Sequence, residues 1–244
     1  MPIAEKAERI RPTVRPSSLA GYEHVRGYGV HSLPFDSGNV LALRVFPQND
    51  FAAYRTVWHC TSDGRWRIYV DAPRLDIACP RYYSSAAEIC EYADISLEWT
   101  GSTTLRIEMD SPALQWEVTV AEPRVFKVAN AITSRIPERV GRVPVTLRAL
   151  EQLGRRFFDL GDVTLHGEAP NGQQMRAVPE RILPIVASSA RLDGEDLGRP
   201  ARMRVSPAIG SVHLPRTPTF ALGGGYFKTL DPEEYRRTVA QLMP

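Results

Sequence analysis

The sequence is poor in cysteine and has no long hydrophobic run. Its three cysteines, Cys60, Cys79 and Cys90, match no zinc-binding or redox spacing, so we expect reduced thiols, as in a cytoplasmic protein. No apolar run reaches the roughly 18 residues of a transmembrane helix. The N-terminal stretch MPIAEKAERIRPTVRPSS is charged and proline-rich, without the apolar core of a secretory signal. The sequence therefore predicts a cytoplasmic protein without a membrane-spanning helix.

Several catalytic motifs are also missing. The chain contains no G-x-S-x-G, no P-loop, no H-E-x-x-H, no C-x-x-C and no dinucleotide fingerprint after a first strand. We therefore expect neither a cofactor nor a metal site. The formal net charge of +2 provides no field that would attract nucleic acid, so no nucleic-acid partner is expected. The functions that remain possible are cofactor-free proton chemistry, ligand binding and a role in protein interaction.

The segment Tyr54 to Asp71 has the clearest local pattern. Two runs of strand-forming residues flank Asp63-Gly64, which favours a two-residue type I′ hairpin turn. In the register that such a turn sets, one face carries Val57, His59, Thr61, Trp66, Ile68 and Val70. The opposite face carries Thr56, Trp58, Cys60, Arg67, Tyr69 and Asp71. His59 is then either a hydrogen-bonded core residue or an acid/base group that faces a ligand cavity.

The remaining chain divides into segments by its hydrophobic period. Residues 1–20 are predicted to form a flexible arm, residues 21–122 a first β half, residues 123–160 a helical connector, residues 161–229 a second β half, and residues 230–244 a C-terminal helix. Three strands between residues 95 and 120 alternate apolar and polar side chains and form an antiparallel meander. Residues 85–93 are expected to form a short helix. The fold class is mainly β, an antiparallel barrel or sandwich in two halves joined by the connector.

Two further features of the second half concern its strands. Asn171-Gly172 is a second hairpin signal, and His166 precedes it much as His59 precedes Asp63-Gly64, which hints at an internal duplication. Gly223-Gly224-Gly225 lies between strand-like residues and opens no helix. It therefore predicts a bulge or a close backbone approach and not a phosphate site.

The connector is basic and amphipathic. Residues 124–156 contain eight Arg or Lys residues against two Glu residues, with apolar positions at helical spacing. Two interpretations stay open. The apolar stripe packs on the sheet with the arginines in water, or the segment docks on an anionic membrane or a partner.

The Trp58/Trp66 hairpin, the stretches EWTGSTTLRIE and PNGQQMRAVPERI, and the order of β half, helices and β half resemble one family. These features are similar to the tandem lipocalin-like proteins that include carotenoid 1,2-hydratases and related cyclase-type enzymes. The resemblance covers most of residues 38–228. It implies general acid/base chemistry on an apolar substrate such as a polyene or terpenoid. The tryptophan-rich opening strand of that family has no match here, and no catalytic residue carries over.

Three hypotheses about function follow from the sequence. The first is a cofactor-independent hydratase, isomerase or cyclase acting on a terpenoid, polyene or steroid. Its catalytic residues would be His59, Tyr69 and Asp71, and its substrate-binding residues Trp58, Trp66, Tyr82 and Tyr83. The second is a non-catalytic carrier of an apolar ligand that docks on a membrane through residues 124–156. The third is a structural β-sandwich for a protein partner. The sequence does not predict the oligomeric state.

Overall fold

The computed structural model describes residues 1–242 and shows a mainly β protein. Its strands are β1 (Thr13–Val14), β2 (Tyr22–Pro34), β3 (Val40–Asn49), β4 (Tyr54–Cys60), β5 (Trp66–Asp71), β6 (Ile89–Tyr92), β7 (Ile95–Trp99), β8 (Thr104–Met109), β9 (Leu114–Val120), β10 (His166–Glu168), β11 (Gln174–Leu192), β12 (Glu195–Asp196), β13 (Ala208–Ile209), β14 (Val212–His213) and β15 (Thr219–Lys228). Its helices are α1 (Ile3–Glu8), α2 (Pro80–Tyr83), α3 (Arg124–Thr133), α4 (Glu138–Gly141), α5 (Pro144–Phe157) and α6 (Pro232–Leu242), with 3-10 turns at Leu75–Ile77 and Ser84–Ala86. Residues 243 and 244 of the predicted C-terminal helix lie outside the described residues.

One curled sheet organises the molecule. Within residues 1–242, thirteen strands belong to it, and its main path runs β6-β5-β4-β3-β2-β15-β11-β9-β8-β7. Pairing is antiparallel except between β5 and β6 and between β1 and β3. The predicted fold class is confirmed: a mainly β chain whose antiparallel sheet curls into a half-barrel, with a C-terminal helix. The two β segments share this sheet, because β15 pairs with β2 and β11 pairs with β9.

The long strand β11 produces the curl. It pairs with β15 from Met175 to Pro184 and with β9 from Ile185 to Leu192, so it changes partner at Pro184. Its register shifts between Pro179 and Arg181 and again between Ile185 and Ala187. Such bulges bend a strand and increase its twist.

Two hydrophobic clusters occupy the two sides of the sheet. The inner core joins side chains from opposite ends of the sheet, such as Val57 and Tyr69 with Ile95 and Trp116, because the curl brings those ends face to face. The outer core forms on the convex side and joins Trp58, Trp66 and Ile68 of the sheet to α2 and to the segment around β14. Alternate residues of each strand supply the two clusters.

The predicted register of the Tyr54–Asp71 hairpin is wrong by one residue. Thr61 N–H donates to Arg65 O at 3.0 Å and Gly64 N–H to Thr61 O at 2.8 Å, so three residues form the loop, with Gly64 at φ +86°. Cys60 therefore faces Trp66, and His59 faces Arg67. A shift of one residue moves every side chain of the second strand to the other face. His59 thus shares its face with Tyr69, and Trp58 shares its face with Trp66, Ile68 and Val70.

The loop between β10 and β11 has the same construction. Ala169 N–H donates to Gln173 O and Gly172 N–H to Ala169 O, both at 2.8 Å, and Gly172 has φ +90°. Both Gly residues lie in the left-handed region that an added Cβ disfavours. The two-residue turn that we expected at Asp63-Gly64 occurs instead at Asp193-Gly194, where both residues have positive φ and Leu192 pairs with Glu195.

The structure differs from the sequence prediction in two segments. The segment 1–20, expected to be a flexible arm, contains α1 and β1, and Ile3 and Ile10 are buried in the inner core. The expected helix over residues 85–93 is instead a 3-10 turn followed by β6, which pairs in parallel with β5. In both places, contacts with residues distant in the chain outweigh the local pattern.

The connector is helical, as predicted. Asn130 of α3 is buried and bonds both the N–H and the carbonyl of Ile182 at 2.9 Å, which fixes the helix on β11. At the C-terminal helix, Asp231 accepts hydrogen bonds from the backbone N–H groups of Glu233 and Glu234, as an N-cap residue does. Within the described chain, no helix is both long enough and apolar enough to cross a membrane.

Candidate functional site

A cavity of about 750 Å³ lies between the convex side of the sheet and the helices α3 and α5. Strands β2, β3, β11 and β15 form its floor, α2 closes one side, and α3 and α5 cover it. This volume lies within the range of small-molecule sites in proteins, roughly 300–1,000 Å³. The inner side of the curl is filled by the inner core, so the space for a ligand lies on the outer side.

Four glycines lie on the floor of the cavity, Gly27 of β2 and Gly223, Gly224 and Gly225 of β15, and together they are called the glycine floor. Gly27 of β2 pairs with Gly223 of β15, and Gly225 pairs with Ala177 of β11. A Cβ on Gly27 would lie 1.8 Å from Val45 O, and one on Gly223 would lie 2.3 Å from Val178 O. Only glycine permits these close approaches. The close backbone approach predicted at Gly223-Gly224-Gly225 is confirmed.

Aromatic side chains form the wall on the α2 side. Tyr82 stacks on Phe227 with ring centroids 3.8 Å apart, and Tyr83 meets the Trp58 ring edge-on at 4.7 Å. The phenol of Tyr82 donates to Glu23 Oε2 at 2.9 Å, behind the wall. These contacts hold the rings in place, so the wall is preformed and apolar toward the cavity.

Arg44 and His31 supply polar groups to this otherwise apolar wall. Arg44 is only 6% exposed, and its guanidinium lies 4.9 Å from the centre of the Trp58 ring. Its Nη1 donates to Val30 O at 2.5 Å and Leu43 O at 3.1 Å, and its Nη2 donates to His31 O at 3.1 Å. Burial, with Arg44 adding to it, lowers the pKa of His31 to about 3, so the imidazole is neutral.

The helical cover exposes apolar side chains around the cavity. Val128, Ile132 and Phe157 are each more than three-fifths exposed, although all three line the cavity. Exposed apolar side chains at the rim of a cavity are a common feature of sites where a ligand or a membrane makes contact. The helices α3 and α5, called the cover below, therefore leave part of their apolar surface exposed to solvent.

A smaller polar chamber of about 440 Å³ adjoins the cavity, and Gly224, Val178 and Pro179 line both. Its polar wall is formed by His24, Arg26, Glu138, Glu180 and Tyr226. Arg26 makes a two-point ion pair with Glu180 at 2.7 and 3.0 Å, and the Tyr226 hydroxyl donates to Glu138. The His24 ring lies 5.0 Å from that of Tyr226, and burial lowers its pKa.

The structure separates the residues predicted from the sequence. Trp58, Tyr82 and Tyr83, predicted to bind substrate, line the cavity. Trp66 lies in the outer core beside Trp58, and its Nε1 donates to Ala208 O at 2.6 Å. It is not among the residues of the cavity wall.

The residues predicted to be catalytic lie apart from the cavity. His59 and Tyr69 point to the inner side of the sheet, and Asp71 forms an ion pair with Arg55 at 3.2 Å. His59 Nε2 lies 2.8 Å from Asn39 Oδ1, and burial lowers its pKa to about 4. This is the hydrogen-bonded core histidine that was the alternative reading of the sequence.

Sequence reasoning missed Arg44, His31 and the glycine floor. Arg44 occupies an ordinary position in the strand pattern NVLALRVF, and nothing local marks it as buried. A signal did exist for the floor, since Gly27 and Gly29 alternate in VRGYGVH and Gly223 to Gly225 follow in the partner strand. Recognising it required knowing that β2 and β15 are neighbours.

Comparisons with known proteins give no assignment. No family model matches the chain, and no curated protein and no solved structure is significantly similar to it. Among residues 1–242, no group of three or more His, Cys, Asp or Glu side chains is arranged to hold a metal ion. The geometry of the cavity therefore carries the functional argument.

Proposed function

We propose that the protein binds an apolar small molecule in the cavity between the sheet and helices α3 and α5. The observation that carries this proposal is the combination of the glycine floor with a fixed aromatic wall around about 750 Å³. A preformed concave space of this size, lined mainly by apolar and aromatic side chains with a few polar groups, is typical of small-molecule sites. The resemblance to tandem lipocalin-like proteins stays part of this proposal, and so does a cytoplasmic location.

Carrier and enzyme are two forms of the same proposal. The geometry favours the carrier, because His59, Tyr69 and Asp71 do not face the cavity. One observation supports an acid/base enzyme of the hydratase, isomerase or cyclase type. The adjoining polar chamber holds His24 with its ring 5.0 Å from that of Tyr226, and an imidazole and a phenol are groups that can transfer protons. In either form the ligand is a terpenoid, polyene, steroid or similar apolar molecule.

Membrane contact is the second part of the proposal. The exposed Val128 and Ile132 lie in the segment 124–156, which has eight basic residues against two acidic ones, and the exposed Phe157 directly follows it. Anionic lipid attracts such a segment, and the apolar residues insert into the interface. This surface surrounds the cavity, so a ligand that leaves the bilayer reaches the cavity directly.

Filling the cavity tests the proposal. Ala177 lies on its floor opposite Gly225, so in Ala177→Phe the ring enters the cavity and not the packed core. We expect the protein to remain folded and to bind the neutral fluorophore Nile red at least about tenfold more weakly. Fluorescence titration measures the affinity, and circular dichroism confirms the fold.

The matched control places the same side chain elsewhere on the strand. Val186 of β11 is exposed and does not line the cavity, so Val186→Phe should bind Nile red as the wild type does. The proposal fails if wild-type protein does not bind the probe, or if the two variants lose equal affinity. Mass spectrometry of polyene and terpenoid ligands recovered after incubation separates the two forms, since a carrier returns its ligand unchanged and an enzyme returns a product.

A further inference from the structure

Arg44 is a buried cation with no buried anion beside it. None of the ion pairs formed by residues 1–242 includes it. The acceptors of its three hydrogen bonds are backbone carbonyl oxygens, and the groups whose charge affects it most are Cys79, Tyr83 and Tyr54, which are neutral at pH 7. Burying a charge without a counter-charge is costly, and proteins normally pair it.

The guanidinium retains two donors that no residue of the described chain uses. It has five N–H groups, and three hydrogen bonds to carbonyls leave the Nε–H and one Nη2–H. Nε and Nη2 form the side of the guanidinium that pairs with both oxygens of a carboxylate. No polar atom of Arg44 is sealed in the core without a partner, and Arg44 is part of the cavity wall.

The other charged groups at the cavity are already engaged or exposed. Glu151 accepts from the backbone N–H groups of Leu165 and His166. Arg176 donates to the Tyr22 hydroxyl at 2.9 Å, and Arg124 is exposed to solvent. Arg44 is therefore the one charge of the described cavity that is both buried and without a counter-charge.

We propose that the ligand of this cavity is an amphipathic carboxylic acid whose carboxylate is held by the Nε–H and Nη2–H of Arg44 while its apolar chain lies over the glycine floor. The inference rests on the proposed function, since it names the head group of the apolar ligand. The neutral His31 adds no second charge beside the head group, so a single carboxylate balances the site.

Three ligands with the same chain test the head group on the wild-type protein. Palmitic acid, palmityl alcohol and methyl palmitate are titrated into delipidated protein at neutral pH. We expect the acid to bind about tenfold or more tightly than the alcohol and the ester, as two charge-assisted hydrogen bonds imply. Equal binding of all three overturns the carboxylate inference and leaves the proposed function standing. Failure of all three to bind contradicts the proposed function as well.

A variant then assigns the preference to one side chain. Arg44→Met should reduce the affinity for palmitic acid to that for the alcohol, without changing the affinity for the alcohol. Arg106→Met, which removes a half-exposed arginine on β8 away from the cavity, should keep the preference for the acid. A preference that survives in Arg44→Met overturns the assignment.

Arg44 also holds the carbonyls of Val30 and His31, where β2 slips in register against β3, so Arg44→Met can fail to fold. A measurement on the wild type covers that case. In palmitic acid labelled at its carboxyl carbon, NMR reports ionisation of the bound acid as pH falls. A pKa below that of the free acid is expected beside the guanidinium, and a pKa at or above it overturns the inference, because apolar burial alone raises the pKa.

Discussion

Two histidines on opposite sides of the sheet, the buried His59 and the half-buried His31, are neutral for the same reason. Burial is the main cause that lowers the pKa of His59 to about 4 and that of His31 to about 3, and a neighbouring arginine adds to it in each case. A histidine with so low a pKa is a weak base at neutral pH. At the scale of the residue, the main expected effect of these histidines is therefore on the pH dependence of the free energy of unfolding.

His59 should therefore make the protein less stable in mild acid. Its pKa is about 4 in the folded protein and 6.5 in the unfolded chain, so the unfolded chain binds more protons between these values. The free energy of unfolding then falls as pH falls through this window, by up to about 1.4 kcal/mol per pH unit for one histidine. We expect His59→Gln, which can still bond Asn39, to show a shallower dependence in urea unfolding across the window.

The difference between wild type and variant isolates His59 from other groups. His31 contributes a slope of the same sign in both proteins. Asp50, whose pKa burial raises to about 7, contributes the opposite sign in both. Identical slopes for the wild type and His59→Gln would show that this imidazole is not held neutral by the fold.

At the scale of the element, the turn at Asp63-Gly64 shows which part of a hairpin is local information. The residue pair predicts the position of the chain reversal correctly, and Gly64 has a positive φ, but the predicted two-residue turn is wrong. The number of loop residues is not fixed by the pair, because Asp-Gly fits a two-residue turn and also a three-residue loop that ends in a left-handed Gly. One extra residue moved Trp66, Ile68 and Val70 away from the face of His59.

The same limit applies to the site. Trp58, Tyr82 and Tyr83 were predicted as ligand contacts because pockets for small molecules are lined mainly by apolar and aromatic side chains. Arg44 and the pairing of Gly27 with Gly223 depend on a register shift in β2 and on the neighbourhood of β2 and β15. Those strands are almost two hundred residues apart in the chain, so no local pattern contains this information.

The helices of the cover allow a prediction at the element scale. Val128 of the basic segment 124–156 is 62% exposed, and Phe157, which directly follows that segment, is 65% exposed. We expect the protein to float with vesicles that contain phosphatidylserine at low salt and to be released as salt screens the attraction. The double variant Val128→Asp and Phe157→Asp should lose most of this binding, because it removes two apolar contacts with the membrane and adds two negative charges that the anionic lipid repels.

The control for vesicle binding changes two exposed valines outside the cover. Val186 and Val205 are 60% and 70% exposed, and neither lies in the basic segment. The double variant Val186→Asp and Val205→Asp should float as the wild type does. If the wild type binds no vesicles at any salt concentration, or if both double variants lose binding equally, the cover is not a membrane-contact surface.

At the scale of the whole molecule, the sheet connects segments that the sequence separates. In its path, β15 and β11 from residues 161–229 lie between two groups of strands from residues 21–122, β6 to β2 on one side and β9 to β7 on the other. The inner core also joins the two, since Leu183 and Phe220 pack in one cluster with Val30 and Trp116. The helical connector therefore links two parts of one folded unit.

This arrangement predicts one cooperative unfolding transition. Residues 1–122 alone would leave β2 without β15 and β9 without β11, so two strands would become unpaired edges in addition to the loss of core contacts. Calorimetry of the full chain should give equal calorimetric and van't Hoff enthalpies, which is the criterion for a two-state transition.

A fragment of residues 1–122 should be unfolded when expressed alone, and mixing it with a fragment of residues 123–244 should restore the near-ultraviolet circular dichroism of the full chain. Two separated transitions, or a folded fragment 1–122, would instead mean that the halves are independent domains. The cavity would then have to be explained by docking of two stable bodies, because its floor takes β2 from one half and β15 from the other.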